Sequence, residues 1–262
     1  MFWKMDQSMG LHYGIWEKDT PNIQEAILNV NRRLITLGKI TSSDYVLDAG
    51  CGIGGSSIFL AKHLGCKTHG ITLSAKQVHT AQKFATKNGV GNQCSFSEMD
   101  YTKTSFEDNT FDVVWAIESF GSAQEKHLFF KEMSRILKPK GRIVMADTFK
   151  PEAYSIAQEK EMQTMLHGWA ISDILSLKEV ETLAKGHAFD PIRVENVSQE
   201  IARSVRRLYY AAWLGMIGTK AYNLFKNASP FSKIHYKTGL AQKKAFDQNK
   251  WGYYLISFTN NK

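Results

Sequence analysis

The 262-residue chain is 43% apolar and 22% charged, a balance that excludes a mainly disordered protein. Its five prolines and 19 glycines exclude collagen-like or proline-rich low complexity, and no window approaches the ~20 uninterrupted apolar residues that span a bilayer. The net charge of +8 is uneven: residues 191–262 carry 12 Lys/Arg against 3 Asp/Glu, which suits an acidic ligand, a membrane surface, a nucleic acid or simply a solvated face.

Residues 1–19 contain Trp3, His12, Tyr13 and Trp16, too aromatic for a mere tail. Thr20-Pro21 reads as a hydroxyl cap with proline at the first helical position, and Ile23, Ala26, Ile27, Val30, Leu34 and Leu37 predict an amphipathic helix over 21–37. Tyr45-Val46-Leu47 is a buried strand running into Asp48 and a glycine cluster. Then follow a helix over 56–64, a strand over 68–71, a helix over 74–88, strands over 94–99 and 111–117, a helix over 124–137, a turn at Pro139-Lys140-Gly141 and a fifth strand over 142–146. Beyond Thr148 the pattern becomes helical: 151–167, 176–184, a strand over 192–197, a long helix over 200–225, a short one over 239–248, and a last strand over 251–258. The alternation predicts an α/β fold with a mostly parallel sheet and right-handed crossovers, with ligands at the carboxyl ends of the strands.

Val46-Leu47-Asp48-Ala49-Gly50-Cys51-Gly52-Ile53-Gly54-Gly55 occupies the first strand-to-helix turn. Gly50, Gly52 and Gly54 let the backbone turn sharply and approach a ligand, and a helix N-terminus follows. Gly50, Gly52 and Gly55 also satisfy the dinucleotide spacing, so the glycines alone do not choose a ligand. Asp48 does: a carboxylate there repels a pyrophosphate but holds an ammonium, favouring S-adenosylmethionine over NAD. A nicotinamide enzyme also needs an acid about 20 residues on, where Thr72 stands.

With these residues the chain resembles the class I S-adenosylmethionine-dependent methyltransferases. Asp48 to Gly55 looks like their first motif, Phe111-Asp112-Val113-Val114 with Ile117-Glu118-Ser119 like their fourth-strand motif, and Arg135-Ile136-Leu137-Lys138-Pro139-Lys140-Gly141 like their entry to strand five. Gly70-Ile71-Thr72-Leu73-Ser74 lacks the usual ribose-binding acid. With Gln77 it is similar to the sterol and tocopherol C-methyltransferases and the cyclopropane fatty acid synthases. The resemblance implies a Rossmann-like, seven-stranded sheet with helices on both faces and a helical lid after strand five. It implies that Asp48, Gly50, Gly52, Gly54, Thr72, Ser74, Gln77, Asp100, Tyr101 and Ile117 line the donor. Ser74 also reads as a helix cap and Asp100 as a turn cap. His12-Tyr13-Gly14 resembles the segment that folds over the donor, with Tyr13 hydrogen-bonding the donor's carboxylate, closing the site or serving as an apolar plug. Gly252-Tyr253-Tyr254 is similar to the last strand of tocopherol-type enzymes, although aromatic alternation is also plain packing.

Glu118 is the expected catalytic residue, as base or cation partner, with a structural hydrogen-bond anchor as the alternative; Tyr13 is the second candidate. A wall for a small lipophilic acceptor is expected from Leu166, Trp169, Ile171, Tyr209, Tyr210, Trp213 and Met216, with Arg203, Arg206 and Arg207 holding any acidic group. No His/Cys/Asp/Glu cluster has metal-ligand spacing. One domain is expected: an N-terminal lid and helix (1–40), a donor-binding core (41–150), acceptor-binding insertions (151–250) and the last strand (251–262). Cys51, Cys66 and Cys94 do not form a disulfide framework and no secretory leader is visible, so a cytoplasmic home is expected. The leading expectation is carbon methylation of a small molecule. The alternative is an RNA methyltransferase that uses the basic last quarter, and an idle donor-binding protein would look the same. No RNA-binding module is visible, so no nucleic-acid partner is expected; contact with a membrane surface remains open.

Overall fold

The computed structural model describes residues 10–262 except 153, 157, 158 and 224–229; Trp3 and Phe225 lie outside the described residues. The first half follows the predicted alternation: α1 (Ile23–Gly38), β1 (Tyr45–Ala49), α2 (Gly55–Leu64), β2 (Lys67–Thr72), α3 (Ala75–Lys87), β3 (Cys94–Glu98), β4 (Phe111–Ile117), α4 (Lys126–Ile136) and β5 (Leu137–Phe149). The second half adds α5 (Lys160–Trp169), α6 (Leu177–Lys185), β6 (Phe189–Asn196), α7 (Ser198–Asn223), α8 (Pro230–Asp247) and β7 (Gly252–Asn260).

The strands form one sheet in the order β3-β2-β1-β4-β5-β7-β6. The pairs from β3 through β5 are parallel, whereas β7 runs antiparallel to both β5 and β6. Chain order therefore reverses between β1 and β4, which opens a crevice at their carboxyl ends. Strand periodicity sorts the core. Val46, Val113, Trp115, Val144 and Ala146 pack with Val30 and Leu34 of α1 and with Ile201 and Val205 of α7. Their neighbours Leu47, Val114, Ala116, Ile143 and Met145 point the other way, onto Phe129, Phe130 and Met133 of α4 and Val180 of α6. These strands are buried on both faces, which is why they read as continuous apolar runs.

Four local expectations are corrected. Helix α1 starts after Asn22, not at Thr20-Pro21: the Asn22 side chain accepts the Glu25 N–H at 3.0 Å. The Thr20 hydroxyl instead accepts from the Glu17 N–H and the Asn29 amide, closing the turn before the helix. Helix α5 begins only at Lys160; ahead of it the Tyr154 N–H closes a turn onto the Pro151 carbonyl, a proline that stands two residues past β5. Helix α8 begins at Pro230, so Gly239 is mid-helix. A Cβ on Gly239 would stand 2.6 Å from that of Ala212, so its smallness serves close α7–α8 packing. The predicted turn at 139–141 is a bulge inside β5: Phe111 pairs with Leu137 and Val113 with Arg142, while Lys140 takes a left-handed φ of 63°.

The Phe130 ring meets those of Phe120, Phe129, Phe189 and Phe258 at 5.5–5.9 Å between centroids and is fully buried. Phe130→Ala is expected to cost about 3–5 kcal/mol of stability by urea unfolding.

Candidate functional site

At the switch point the loop after β1 meets the loop after β4. The Ser119 hydroxyl donates to the Ala49 carbonyl at 2.6 Å, and a Cβ on Gly50 (φ 92°) would fall 2.5 Å from the Ser119 Cβ. Gly50 is thus required by this close approach. Gly52 has a left-handed φ of 53°, and a Cβ there would meet nothing within 4 Å, so its backbone faces open space. Gly54 is the N-cap of α2. Asp48 is buried near the end of β1 and accepts the Ser57 hydroxyl at 2.7 Å. Burial pushes its carboxyl up to about 6, with the Ser57 hydrogen bonds pulling the other way.

The next strand ends continue this edge. The Thr72 hydroxyl donates to the Gln77 side-chain carbonyl at 2.5 Å. Ser74 caps α3 by accepting the Gln77 N–H at 3.4 Å. Asp100 is exposed, and its Oδ1 accepts the Thr102 N–H and hydroxyl at 2.8 and 2.7 Å, a local turn cap. The Tyr101 hydroxyl donates to the Ser119 carbonyl at 2.8 Å, and burial raises its pKa. Ile117 closes β4. Because β3, β2, β1 and β4 are consecutive in the sheet, these residues border one continuous rim.

Glu118 follows β4 in a left-handed conformation (φ 48°), unusual for a residue other than glycine and held by its N–H to the Ala146 carbonyl at 2.8 Å. Its Oε1 accepts the Tyr13 N–H at 2.8 Å and the Tyr253 hydroxyl at 2.9 Å. The two tyrosine rings meet edge to face at 5.3 Å, and Trp251 lies 5.7 Å from Tyr13. Burial pushes Glu118 up to about 8; the Tyr13 and Tyr253 hydrogen bonds oppose the shift, and the charge of Asp147 adds to it. The Tyr13 hydroxyl accepts from the Gln242 amide, whose Oε1 in turn takes the Trp169 indole N–H at 2.6 Å. His12 is held neutral by burial, its pKa pushed down to about 4. Its Nδ1 lies 2.8 Å from the Tyr13 carbonyl, while Nε2 is buried without a hydrogen-bond partner.

Four residues of this centre were not singled out as site candidates: Asp147, Lys126, Gln242 and Tyr253. Asp147 accepts the Gly121 N–H at 3.1 Å and the Thr148 N–H at 2.7 Å, and burial pushes it up to about 6. Buried Lys126 donates to the carbonyls of Gly121 and Ala123 at 2.9 and 2.5 Å, so the short helical turn Phe120–Ser122 is clamped between an acid and an amine. The one local sign of Asp147 was a lone acid closing the apolar run 143–146. The sequence places Tyr253 in the last strand, by resemblance to tocopherol-type enzymes or as packing, with no role assigned; it reaches Glu118 only because β7 returns antiparallel beside β5.

Of the expected acceptor wall, Leu166 and Ile171 line a cavity of about 500 Å³ beside the exit of β5, together with Lys150, Ile156, His167 and Asp173. Tyr210 and Trp213 do not belong to it. They are 57% and 45% exposed on the outer face of α7, whose inner face carries Ile201, Val205 and Ala212. Arg203 stacks 3.9 Å over Trp16, and Arg206 and Arg207 are exposed.

Residues 46–141 match a family described as a methyltransferase domain. The chain is 29% identical over 198 residues to 27-O-demethylrifamycin SV methyltransferase of Amycolatopsis mediterranei, covering 74% of this chain and 72% of that one. It is 27% identical to the chloroplastic tocopherol O-methyltransferase of Arabidopsis thaliana, over 73% of this chain and 60% of that enzyme's length. In three dimensions it matches geranyl diphosphate C-methyltransferase from Streptomyces coelicolor A3(2), solved with Mg2+, geranyl diphosphate and S-adenosyl-L-homocysteine. The TM-score is 0.77 with 19% identity, over 99% of this chain and 94% of that one, a likeness of fold.

The Glu118 carboxyl titrates near 4.5 when exposed and at about 8 in the folded chain. Below about 4.5 both states hold its proton; above that the unfolded chain ionises first. Its contribution is therefore fully present at acid pH and lost as pH rises toward 8. Urea unfolding at pH 5 and pH 8 is expected to show the wild type losing up to a few kcal/mol more than Glu118→Gln, since each tenfold difference in proton affinity between the two states is worth about 1.4 kcal/mol.

Proposed function

We propose that this chain, like the S-adenosylmethionine-dependent methyltransferases it is similar to, methylates a small lipophilic acceptor at carbon, with Glu118 as the group that takes up the displaced proton. One observation carries this reading: a buried carboxyl at the switch point, shaped by Tyr13 and Tyr253 and pushed up to about 8.

The residues present fit the donor. The open backbone face at Gly52, above the N-terminus of α2, admits its amino-acid end. Ser57 engages Oδ2 of Asp48, so Oδ1 is the oxygen proposed to meet the ammonium. Thr72, Ser74 and Gln77 are proposed for the ribose, and Asp100 with Tyr101 for the adenine edge. Ile117 would lie beside the sulfur. When bound, S-adenosylmethionine supplies a methyl group already activated by a sulfonium, so the protein's work is positioning and exclusion of water.

An electron-rich acceptor carbon would take that methyl group in exchange for a proton. The positive charge left on the acceptor faces the Glu118 carboxylate and the faces of Tyr13 and Tyr253, and the proton departs to Glu118. Tyr13 acts through its backbone N–H, which orients Glu118, and through its ring; its hydroxyl is committed to Gln242. In this reading residues 1–40 supply a lid segment and helix α1, 41–150 the donor core, 151–250 the acceptor side and 251–262 the strand that carries Tyr253. An acceptor chain would occupy the cavity lined by Leu166 and Ile171.

Incubating the protein with candidate metabolites and isotopically labelled S-adenosylmethionine tests this reading: labelled methyl on carbon supports it, and label only on oxygen, nitrogen or RNA overturns it. Glu118→Gln is expected to lower kcat about 10²–10⁴-fold, with donor affinity largely kept. In the wild type kcat/KM should rise with pH up to about 8, because the base must lose its proton, and the variant should lack this limb. Asp48→Asn should weaken donor binding about 10- to 100-fold by calorimetry, as expected for one charged hydrogen bond. Wild-type affinity should fall below about pH 6, where protonation removes the Asp48 charge.

A further inference from the structure

Helix α7 presents one outward face to solvent. Arg203, Arg206, Arg207, Tyr210, Trp213, Leu214 and Ile217 recur at three- and four-residue spacing and are all exposed. Ile201, Ser204, Val205 and Ala212 on the opposite face are buried. The exposed face changes character along the axis: its first two turns are cationic and the next two are aromatic and aliphatic. Tyr210, Trp213, Leu214, Ile217 and Tyr222 are 44–57% exposed. They are five of the nine large apolar side chains exposed among the described residues, so the apolar surface is concentrated on one helix.

Charge identifies the occupant. Among the described residues Arg206 and Arg207 enter no ion pair, and residues 191–262 carry an excess of nine positive charges while the rest of the chain is near neutral. An apolar stripe with tryptophan and tyrosine at its edge, continued by unneutralised arginines, matches the interface of an anionic bilayer: the rings and Leu/Ile enter the acyl boundary and the guanidinium groups meet lipid phosphates. A second copy of this chain would bring the same arginines together, and a nucleic acid would leave Leu214 and Ile217 in water. No helix among the described residues is long and apolar enough to cross a membrane.

We propose that the outer face of α7 docks this protein on anionic membrane surfaces. Docking would bring the acceptor side of the enzyme to the phase where a lipophilic molecule resides, but the contact itself needs no acceptor and stands apart from the assignment of Glu118.

Flotation of the purified protein with vesicles of phosphatidylcholine, alone or doped with phosphatidylglycerol, tests this. Binding to the anionic vesicles is expected to be at least about tenfold stronger and to fade at high salt. Arg206→Glu/Arg207→Glu should abolish the preference, and Trp213→Ser/Leu214→Ser/Ile217→Ser should reduce binding to background. Both variants should retain S-adenosylmethionine affinity by calorimetry, which shows that they are folded. Equal or no binding to the two vesicle types overturns the proposal, as does full binding by the Trp213/Leu214/Ile217 variant. A vesicle-free dimer that this variant dissolves, or a tight RNA complex lost in the arginine variant without vesicle binding, would also overturn it.

Discussion

A carboxyl group buried at the reversal of strand order organises this molecule. Removing an acid from water is unfavourable unless donors converge on it. Glu118 gains those donors from segments 105 and 135 residues away along the chain: the backbone of Tyr13 and the phenol of Tyr253. The N-terminal segment, the end of β4 and the last strand must all be in place before the site exists. The same contacts leave the acid short of full compensation, so its proton is held far above the usual carboxylate range.

A second, smaller construction supports the first. The short turn after Glu118 is held from below by Asp147 through the Gly121 N–H and from the side by Lys126 through the Gly121 carbonyl. Burial weakens the hold of Lys126 on its proton and strengthens that of Asp147, while their mutual attraction opposes both shifts. Gln242 does comparable work on the other side, joining α8 to Tyr13 and to Trp169 of α5. Changes in the packing of α5 or α8 therefore reach Tyr13 through one amide.

The outer face of α7 shows that helical periodicity in a sequence does not by itself say which stripe is core. Tyr210 and Trp213 are expected in the acceptor wall because they are large apolar residues in the insertions after strand five, with plain core as the alternative. Packing is decided instead by Ile201, Val205 and Ala212, and by the glycine at 239 that lets α8 approach Ala212. Those inner residues leave the aromatic stripe on the surface beside the arginines.

The alternation of β1 to β5 with helices, the glycine turn behind Asp48 and the acid at 118 were legible in the sequence, because each depends on neighbours within a few residues: pleat periodicity, backbone freedom at glycine, and a strand end. Apart from Tyr13, the groups that surround that acid were not. Tyr253 comes alongside Thr148 only through antiparallel pairing of β7 with β5, Asp147 is brought to Gly121 by parallel pairing of β4 and β5, and Gln242 meets Tyr13 across 229 residues. Such contacts carry no local periodicity, so tertiary packing alone determined which polar groups surround Glu118 and how tightly it holds its proton.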